Sequence, residues 1–296
     1  MPSKVKTKKR TTAKKKPAAK GKRKKTKTKA KSTSKLKKSI KNLKNNKRGI
    51  IAVVFCILTL IAVITGIAIS IHNNSVKQHR LAIIDKDVAF GIDVSSHNGK
   101  IDWEEASQSI DFAFVRVAYR GYSNGNLCID KRARQNLKNA NKNDVPVGIY
   151  VYSQAINEEE AVEEADLALD FAAQHDITLP IVIDFEYAYN DSGDIDGRLH
   201  QAKLSKREAT DLLNAFCKRI IDNGYVPAVY ASSNVFKSDI YADELCSDAK
   251  IWVADYNKKV TYKGNYDFWQ YSNKGSCPGV NSDYVDMNYW YTGKEN

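Results

Sequence analysis

The sequence predicts an α/β protein: an irregular TIM-like (β/α) barrel, preceded by a single transmembrane helix and a disordered basic tail. Three observations carry that expectation. Residues 1–48 hold 23 of the 47 Lys and Arg residues and no acid. Residues 49–71 carry no charge at all. From residue 88 onward, short apolar runs alternate with helical patterns until eight strand-like segments have been counted, the pattern of a parallel sheet closed into a barrel.

The tail comes first. Its Lys/Thr/Ala/Ser composition offers almost nothing to bury, so 1–48 is expected to be disordered. Its charge suits anionic lipid, at about 1 kcal/mol per basic residue near the surface, or nonspecific nucleic acid. Without aromatic residues to stack on bases, a sequence-specific nucleic-acid role is disfavoured. The tail also dominates the overall charge of +13; the remainder has 24 basic against 34 acidic residues. A reading as a basic globular protein would be misleading.

The run GIIAVVFCILTLIAVITGIAISI, residues 49–71, spans ~34 Å as a helix at 1.5 Å per residue, enough for a bilayer core of roughly 30 Å. It is too long, and too far from residue 1, for a secretory signal. With its basic flank kept inside, the chain is expected to be a type II single-pass protein: the tail cytoplasmic, 72–87 a short stalk, and 88–293 an outer domain. Of the five cysteines, Cys56 falls in the span. Cys128, Cys217, Cys246 and Cys277 fall outside it, where disulfides are permitted. A Cys246–Cys277 bridge and free thiols both remain open, and no Cys/His spacing suggests a metal.

Within the outer domain, strands are expected at 88–94, 112–119, 145–153, 179–187, 225–232, 249–256, 266–272 and 284–290. Helices are expected to start near 101 and to cover 130–144, 157–176 and 205–224. Asn157 is placed as an N-cap with acids in the first turn after it. Ser205 and Glu208 have the spacing of a capping box, and Gly224 ends that helix. The last three strands are joined by loops, which makes the barrel irregular.

The acids sort onto the C-terminal strand ends, the rim where barrel active sites lie. Asp93 closes the first strand, Asp184 and Glu186 the fourth and Asp255 the sixth; Gln270 falls on the seventh and Asp286 on the eighth. In Asp184-Phe185-Glu186, period two sends both carboxylates to one side and Phe185 to the other, with Cα atoms ~6.6 Å apart. Carboxylates this close push each other's proton affinity apart. Glycosidic cleavage needs one acid to protonate the leaving oxygen and one anion to steady the developing positive charge. Tyr119, Tyr150, Trp252, Tyr256, Trp269 and Tyr271 lie on or beside the strands, and aromatic faces stack on sugar rings. His97 reads as a structural hydrogen-bonder. Neither a Gly-rich phosphate loop nor a His-Glu-x-x-His zinc motif is present.

The segments FGIDVSSHNGKIDW, FAFVRVAYRG, VPVGIYVYS, LPIVIDFEY, PAVYAS, IWVADYN, FWQYS and VDMNYW, in this order over residues 88–293, resemble glycoside hydrolase family 25, the lysozyme-type muramidases. The resemblance implies an irregular barrel that cuts the β-1,4 bond between N-acetylmuramic acid and N-acetylglucosamine in peptidoglycan, with no cofactor or metal. It implies Glu186 as general acid/base and Asp184 as the group orienting the 2-acetamido substituent. Asp93 and Asp286 become supporting cleft acids. By their positions on or beside the strands, Tyr119, Tyr150, Trp252, Asp255, Tyr256 and Gln270 are expected to be substrate contacts. One departure stands out: many members carry Tyr-His-Phe where this chain has Tyr150-Val151-Tyr152. Together with the span, the resemblance places the protein at a bacterial cell membrane, acting on glycan strands outside. The competing readings are a catalytically silent glycan-binding or scaffold barrel, an endo-N-acetylglucosaminidase, and a membrane-tethered nucleic-acid binder that uses the tail.

Overall fold

A computed structural model describes residues 35, 37–42, 47–75, 81–82 and 84–293. Most of the basic tail, with its expected disorder, lies outside the described residues. The chain divides into two units, 1–71 and 72–296.

In the first unit, helix α1 (Lys47–Ser75) contains the uncharged run. Among the described residues, no helix is long and apolar enough to cross a membrane. The expected transmembrane helix at 49–71 therefore gains no support from this structure.

The second unit is the barrel. Its elements are β1 (Val88–Val94), α2 (Trp103–Ala106), β2 (Phe112–Arg120), β3 (Leu127–Ile129), α3 (Ala133–Lys142), β4 (Val147–Ser153), α4 (Glu158–Ala172), β5 (Ile181–Phe185), β6 (Ala188–Tyr189) and β7 (Ile195–Asp196). They continue with α5 (Arg198–Ala202), α6 (Lys206–Asp222), β8 (Pro227–Ser232), α7 (Ser233–Ser238), β9 (Lys250–Ala254), β10 (Phe268–Gly275) and β11 (Val285–Tyr291). Eight strands close in the order β1-β2-β4-β5-β8-β9-β10-β11, with β11 returning to β1, and β3 is added on the edge of β2. The eight expected strands are these eight.

The caps follow the sequence. Asn157 accepts from Glu160 N to start α4. Ser205 and Glu208 form the reciprocal capping box of α6. Each satisfies backbone N–H groups that would otherwise lack partners at a helix start.

The barrel is not wholly parallel. Pairings from β1 round to β10 are parallel, whereas β11 runs antiparallel to both β10 and β1. This reversal is the physical form of the irregularity expected at the helix-poor end. It also carries the start of β11, rather than its end, to the active rim, where Asp286 lies directly across from Asp93.

Alternation along the strands sends Phe112, Phe114, Val182, Trp252, Phe268 and Trp290 into the barrel, where they form one packed cluster. Gly91 and Gly148 make room for it. A Cβ at Gly91 would lie 2.6 Å from the Phe112 ring, and one at Gly148 2.2 Å from that of Phe114. The opposite strand faces pack against the helices in a second, larger cluster that includes Leu137, Phe171, Leu213 and Phe216. Part of the expected stalk belongs to the barrel. Ala82 and Ile84 pack against the interior cluster, and Ala82 N donates to the Thr178 carbonyl at 2.7 Å. All five cysteines are free, so the Cys246–Cys277 bridge is not formed.

Candidate active site

Three strands deliver four carboxyl groups to one rim. Asp93 and Asp286 are register partners on β1 and β11. Asp184 lies in register between Tyr152 of β4 and Tyr230 of β8, and Glu186 follows one residue beyond β5. The carboxyl of Asp184 feels the charges of Glu186, Asp93 and Asp286. Asp184 is only 6% exposed, and its Oδ1 is buried without a hydrogen-bond partner. Such an oxygen costs free energy until something donates to it.

Burial and mutual repulsion drive the proton affinities of this group upward. Burial is the larger cause throughout. Asp93 rises to about 6, Glu186 to about 7 with the charge of Asp93 adding to it, and Asp286 to about 8 under Asp93 and Glu186. Asp184 is raised well above the usual carboxylate range. At neutral pH the cluster therefore keeps protons that exposed carboxyls would have lost, and those protons belong to the interacting set rather than to separate residues.

Asp93 is the most firmly held. Its Oδ2 accepts from Gln270 Nε2 at 2.9 Å and from Asn288 Nδ2 at 2.8 Å. Both amides are themselves oriented. Gln270 Oε1 accepts from the hydroxyls of Tyr230 (2.8 Å) and Tyr256 (2.7 Å), and Asn288 Oδ1 accepts from Trp252 Nε1 at 2.9 Å. With their oxygens occupied, the two amides can only present N–H to Asp93.

This geometry revises several expected substrate contacts. Trp252 is 1% exposed and stacks on Phe114 at 4.4 Å; it is interior core, and its indole N–H serves Asn288. Gln270 is buried and aims Asp93 rather than meeting a sugar. Asp255 is spent on its own loop. Its carboxylate accepts from Ser233 Oγ, Thr261 N and Oγ1, and Asn257 N and Nδ2, which together hold its pKa below the usual carboxylate range. Tyr150 is buried beneath the acids, edge-on to Trp252. Trp269 and Tyr271 point out of the barrel, because Gln270 between them points in; Tyr271 stacks on the outward Tyr289 at 4.5 Å. Tyr119, 36% exposed, and Tyr256, 52% exposed, remain open to a ligand. His97 is exposed in a short 3-10 turn.

Sequence reasoning passed over Arg116, Asn288 and Tyr230. Arg116 is the cation that lowers the proton affinity of both Asp184 and Glu186. Asp130 holds it by an ion pair of 2.9 Å, and its guanidinium lies 5.4 Å from the Tyr119 ring centre. Period two from Phe112 and Phe114 already turns Arg116 inward, and period two from Asp286 does the same for Asn288. One esterase-like spelling, Gly121-Tyr122-Ser123-Asn124-Gly125, lies in the connection between antiparallel β2 and β3. No strand-to-helix turn is built there, so it is no nucleophile elbow. A cavity of about 670 Å³ opens at the other end of the barrel beside Ile84, Lys250 and Tyr291 and holds none of the rim acids.

A barrel whose rim gathers raised carboxyls between open tyrosines is that of a glycoside hydrolase. The sequence profile described as Glycosyl hydrolases family 25 matches residues 92–280, and the chain belongs to that family. Solved structures share the fold. A family 25 glycosyl hydrolase from Bacillus anthracis is 25% identical over 74% of this chain and 95% of its own, with a TM-score of 0.54. The bacterial lysozyme from Streptomyces coelicolor is 24% identical over 69% and 92%, with a TM-score of 0.55. The modular autolysin LytC from Streptococcus pneumoniae, solved with a synthetic peptidoglycan ligand, is 22% identical over 71% of this chain, with a TM-score of 0.59. This chain spans 48% of that autolysin's length. No curated protein sequence matches the chain.

Proposed function

We propose that this protein is a membrane-anchored N-acetylmuramidase that hydrolyses the β-1,4 bond between N-acetylmuramic acid and N-acetylglucosamine in peptidoglycan. The observation that carries the chemistry is the Asp184–Glu186 pair at the rim: Asp184 Oδ1 is buried without a hydrogen-bond partner, and burial holds the Glu186 carboxyl up to about 7. Glu186 donates a proton to the glycosidic oxygen as that bond breaks. The substrate's acetamido oxygen closes on the anomeric carbon, and Asp184 Oδ1, buried and unpartnered, accepts the acetamido N–H. Water then opens the ring while the Glu186 carboxylate takes up its proton, which restores the starting state and retains configuration. The peptidoglycan ligand of the pneumococcal autolysin supports the choice of polymer.

The test is digestion of purified peptidoglycan by the full chain in detergent, with mass spectrometry of the new reducing ends. Muramic-acid ends are expected. Glucosamine ends would make the protein an endo-N-acetylglucosaminidase, and binding without release would make it a silent barrel.

The anchoring rests on sequence: the uncharged 49–71 run behind 23 basic residues. Two features of α1, where it is described, would suit a lipid surrounding if the anchor exists. Ile51, Phe55, Leu58 and Leu60 are exposed on the helix. The hydroxyls of Thr59 and Thr65 bond back to carbonyls one turn earlier, which hides their polarity. The protein is expected to stay in the membrane fraction through an alkaline wash, with the barrel open to protease on wall-stripped cells. Release by the wash, or protection of the barrel, would refute the anchor.

A further inference from the structure

We infer that Arg198, acting through Gln154, is a positioning residue for Glu186, an inference that rests on the proposed role of Glu186 as proton donor. Glu186 lies one residue past the end of β5, where the ladder of strand hydrogen bonds has stopped. The chain then leaves the barrel in the β6–β7 hairpin and comes back at Arg198. A catalytic acid on such an excursion needs another tether.

The tether is a chain of hydrogen bonds. The Glu186 carbonyl accepts from Gln154 Nε2 at 2.8 Å. Gln154 is 0% exposed and sits one residue past the end of the neighbouring β4. Its own carbonyl accepts from Arg198 Nη1 at 2.9 Å. Arg198 also grips Glu160, in the first turn of α4, with both prongs of its fork at 2.6 and 2.9 Å. The backbone N–H of Arg198 donates to the Tyr122 carbonyl at 2.8 Å. Its guanidinium packs close to Gly125, where a Cβ would come within 2.8 Å of its Cζ. The two ends of the hairpin, Glu186 and Arg198, are thus buckled to each other and to a helix of the outer layer.

Two neighbouring facts fit this role. Gln154 Nε2 also faces the Ser153 carbonyl (3.0 Å) and the Tyr152 hydroxyl (3.4 Å), so the amide cannot turn over without losing all of its acceptors. Its Oε1 is buried and unpartnered in consequence. The fold accepts an orphan oxygen to keep the nitrogen on Glu186. A planar fork making three side-chain bonds is a shape that lysine does not copy.

The experiment compares the full-length wild type, Arg198→Met, Arg198→Lys and Gln154→Met on two substrates. Gln154→Met keeps the volume and removes the orphan oxygen along with the donor, so it guards against simple unfolding. One substrate is a peptidoglycan fragment, whose sugar leaving group needs Glu186's proton. The other is a 2,4-dinitrophenyl glycoside of an N-acetylated oligosaccharide, whose leaving group needs almost none. A displacement on the order of 1 Å costs up to about 10²-fold in rate. For Arg198→Met and Gln154→Met, kcat on the fragment is expected to fall roughly 10- to 100-fold with KM within about twofold. In kcat/KM, which reports only the bond-breaking step, the dinitrophenyl substrate is expected to lose less than about threefold, with Arg198→Lys between wild type and Arg198→Met on the fragment. Equal losses on both substrates, or none on either, would overturn the positioning role while leaving the muramidase reading intact. A wild type inactive on both would overturn the proposed function and the positioning role with it.

Discussion

Glu186→Gln is expected to lower kcat on peptidoglycan by about 10³-fold with little change in glycan affinity. The substitution keeps the shape of the side chain and removes the proton. Glu186 sits where a proton donor must: beside Asp184, past the strand end, with its own carbonyl fixed by Gln154. Its carboxyl is held up to about 7 by burial and by Asp93, so a large share is protonated at neutral pH. An unburied glutamate, with a pKa near 4.3, would be almost wholly ionised there. Gln can neither give that proton up nor take it back for the second step, so both half-reactions suffer. The check is steady-state turnover beside calorimetric binding of an oligosaccharide. Full turnover in the variant would move the donor to Asp286, which keeps its proton to still higher pH.

The barrel was legible because its signal is local and periodic. Eight apolar runs, two cap motifs and the spacing between them are written along the chain. Asp93, Asp184 and Glu186 could be grouped because they close a strand; Asp286 was read only as lying on the eighth. What failed was facing. Trp269 and Tyr271 were set beside the cleft although Gln270 between them was also directed inward, and period two forbids both. Trp252 was misplaced for a different reason. It does face inward, but the barrel below its rim is filled, and depth cannot be read from a strand segment. Asp255 looked like a cleft acid by position, and only the loop folding back through Asn257 and Thr261 shows its oxygens taken. The antiparallel return of β11 was also hidden, since strand polarity depends on where the connections travel. The Asp286 placement survived that gap because a short loop from β10 brings its start, not its end, to the rim.

Raising the pH from 6 to 9 is expected to lower both turnover and stability, and the two share one cause. For turnover, the cluster must retain a proton for the leaving oxygen. With Glu186 at about 7 and Asp286 at about 8, that proton is lost across neutrality, and the rate then falls about tenfold per pH unit. For stability, the folded-state pKa values lie above the unfolded values of about 4. Between those limits the native state binds more protons than the unfolded chain, so stability decreases as pH rises and the full penalty stands above about 8. Asp130, Glu160 and Asp255 act in the opposite sense. Their hydrogen bonds and ion pairs depress their pKa values, so the stability they supply is lost only as pH drops below about 4. Stability should therefore peak on the acid side of neutrality. Glu186→Gln removes one buried charge and separates the two effects: activity is lost at every pH, while the melting temperature at pH 8 rises by about 2–6 °C over wild type and stays equal at pH 4. Melting curves at those two pH values decide the matter. An equal shift at both would trace the gain to packing, and no shift at pH 8 would mean that the rim acids are already neutralised by solvent, which would remove the basis for a proton-retaining cluster.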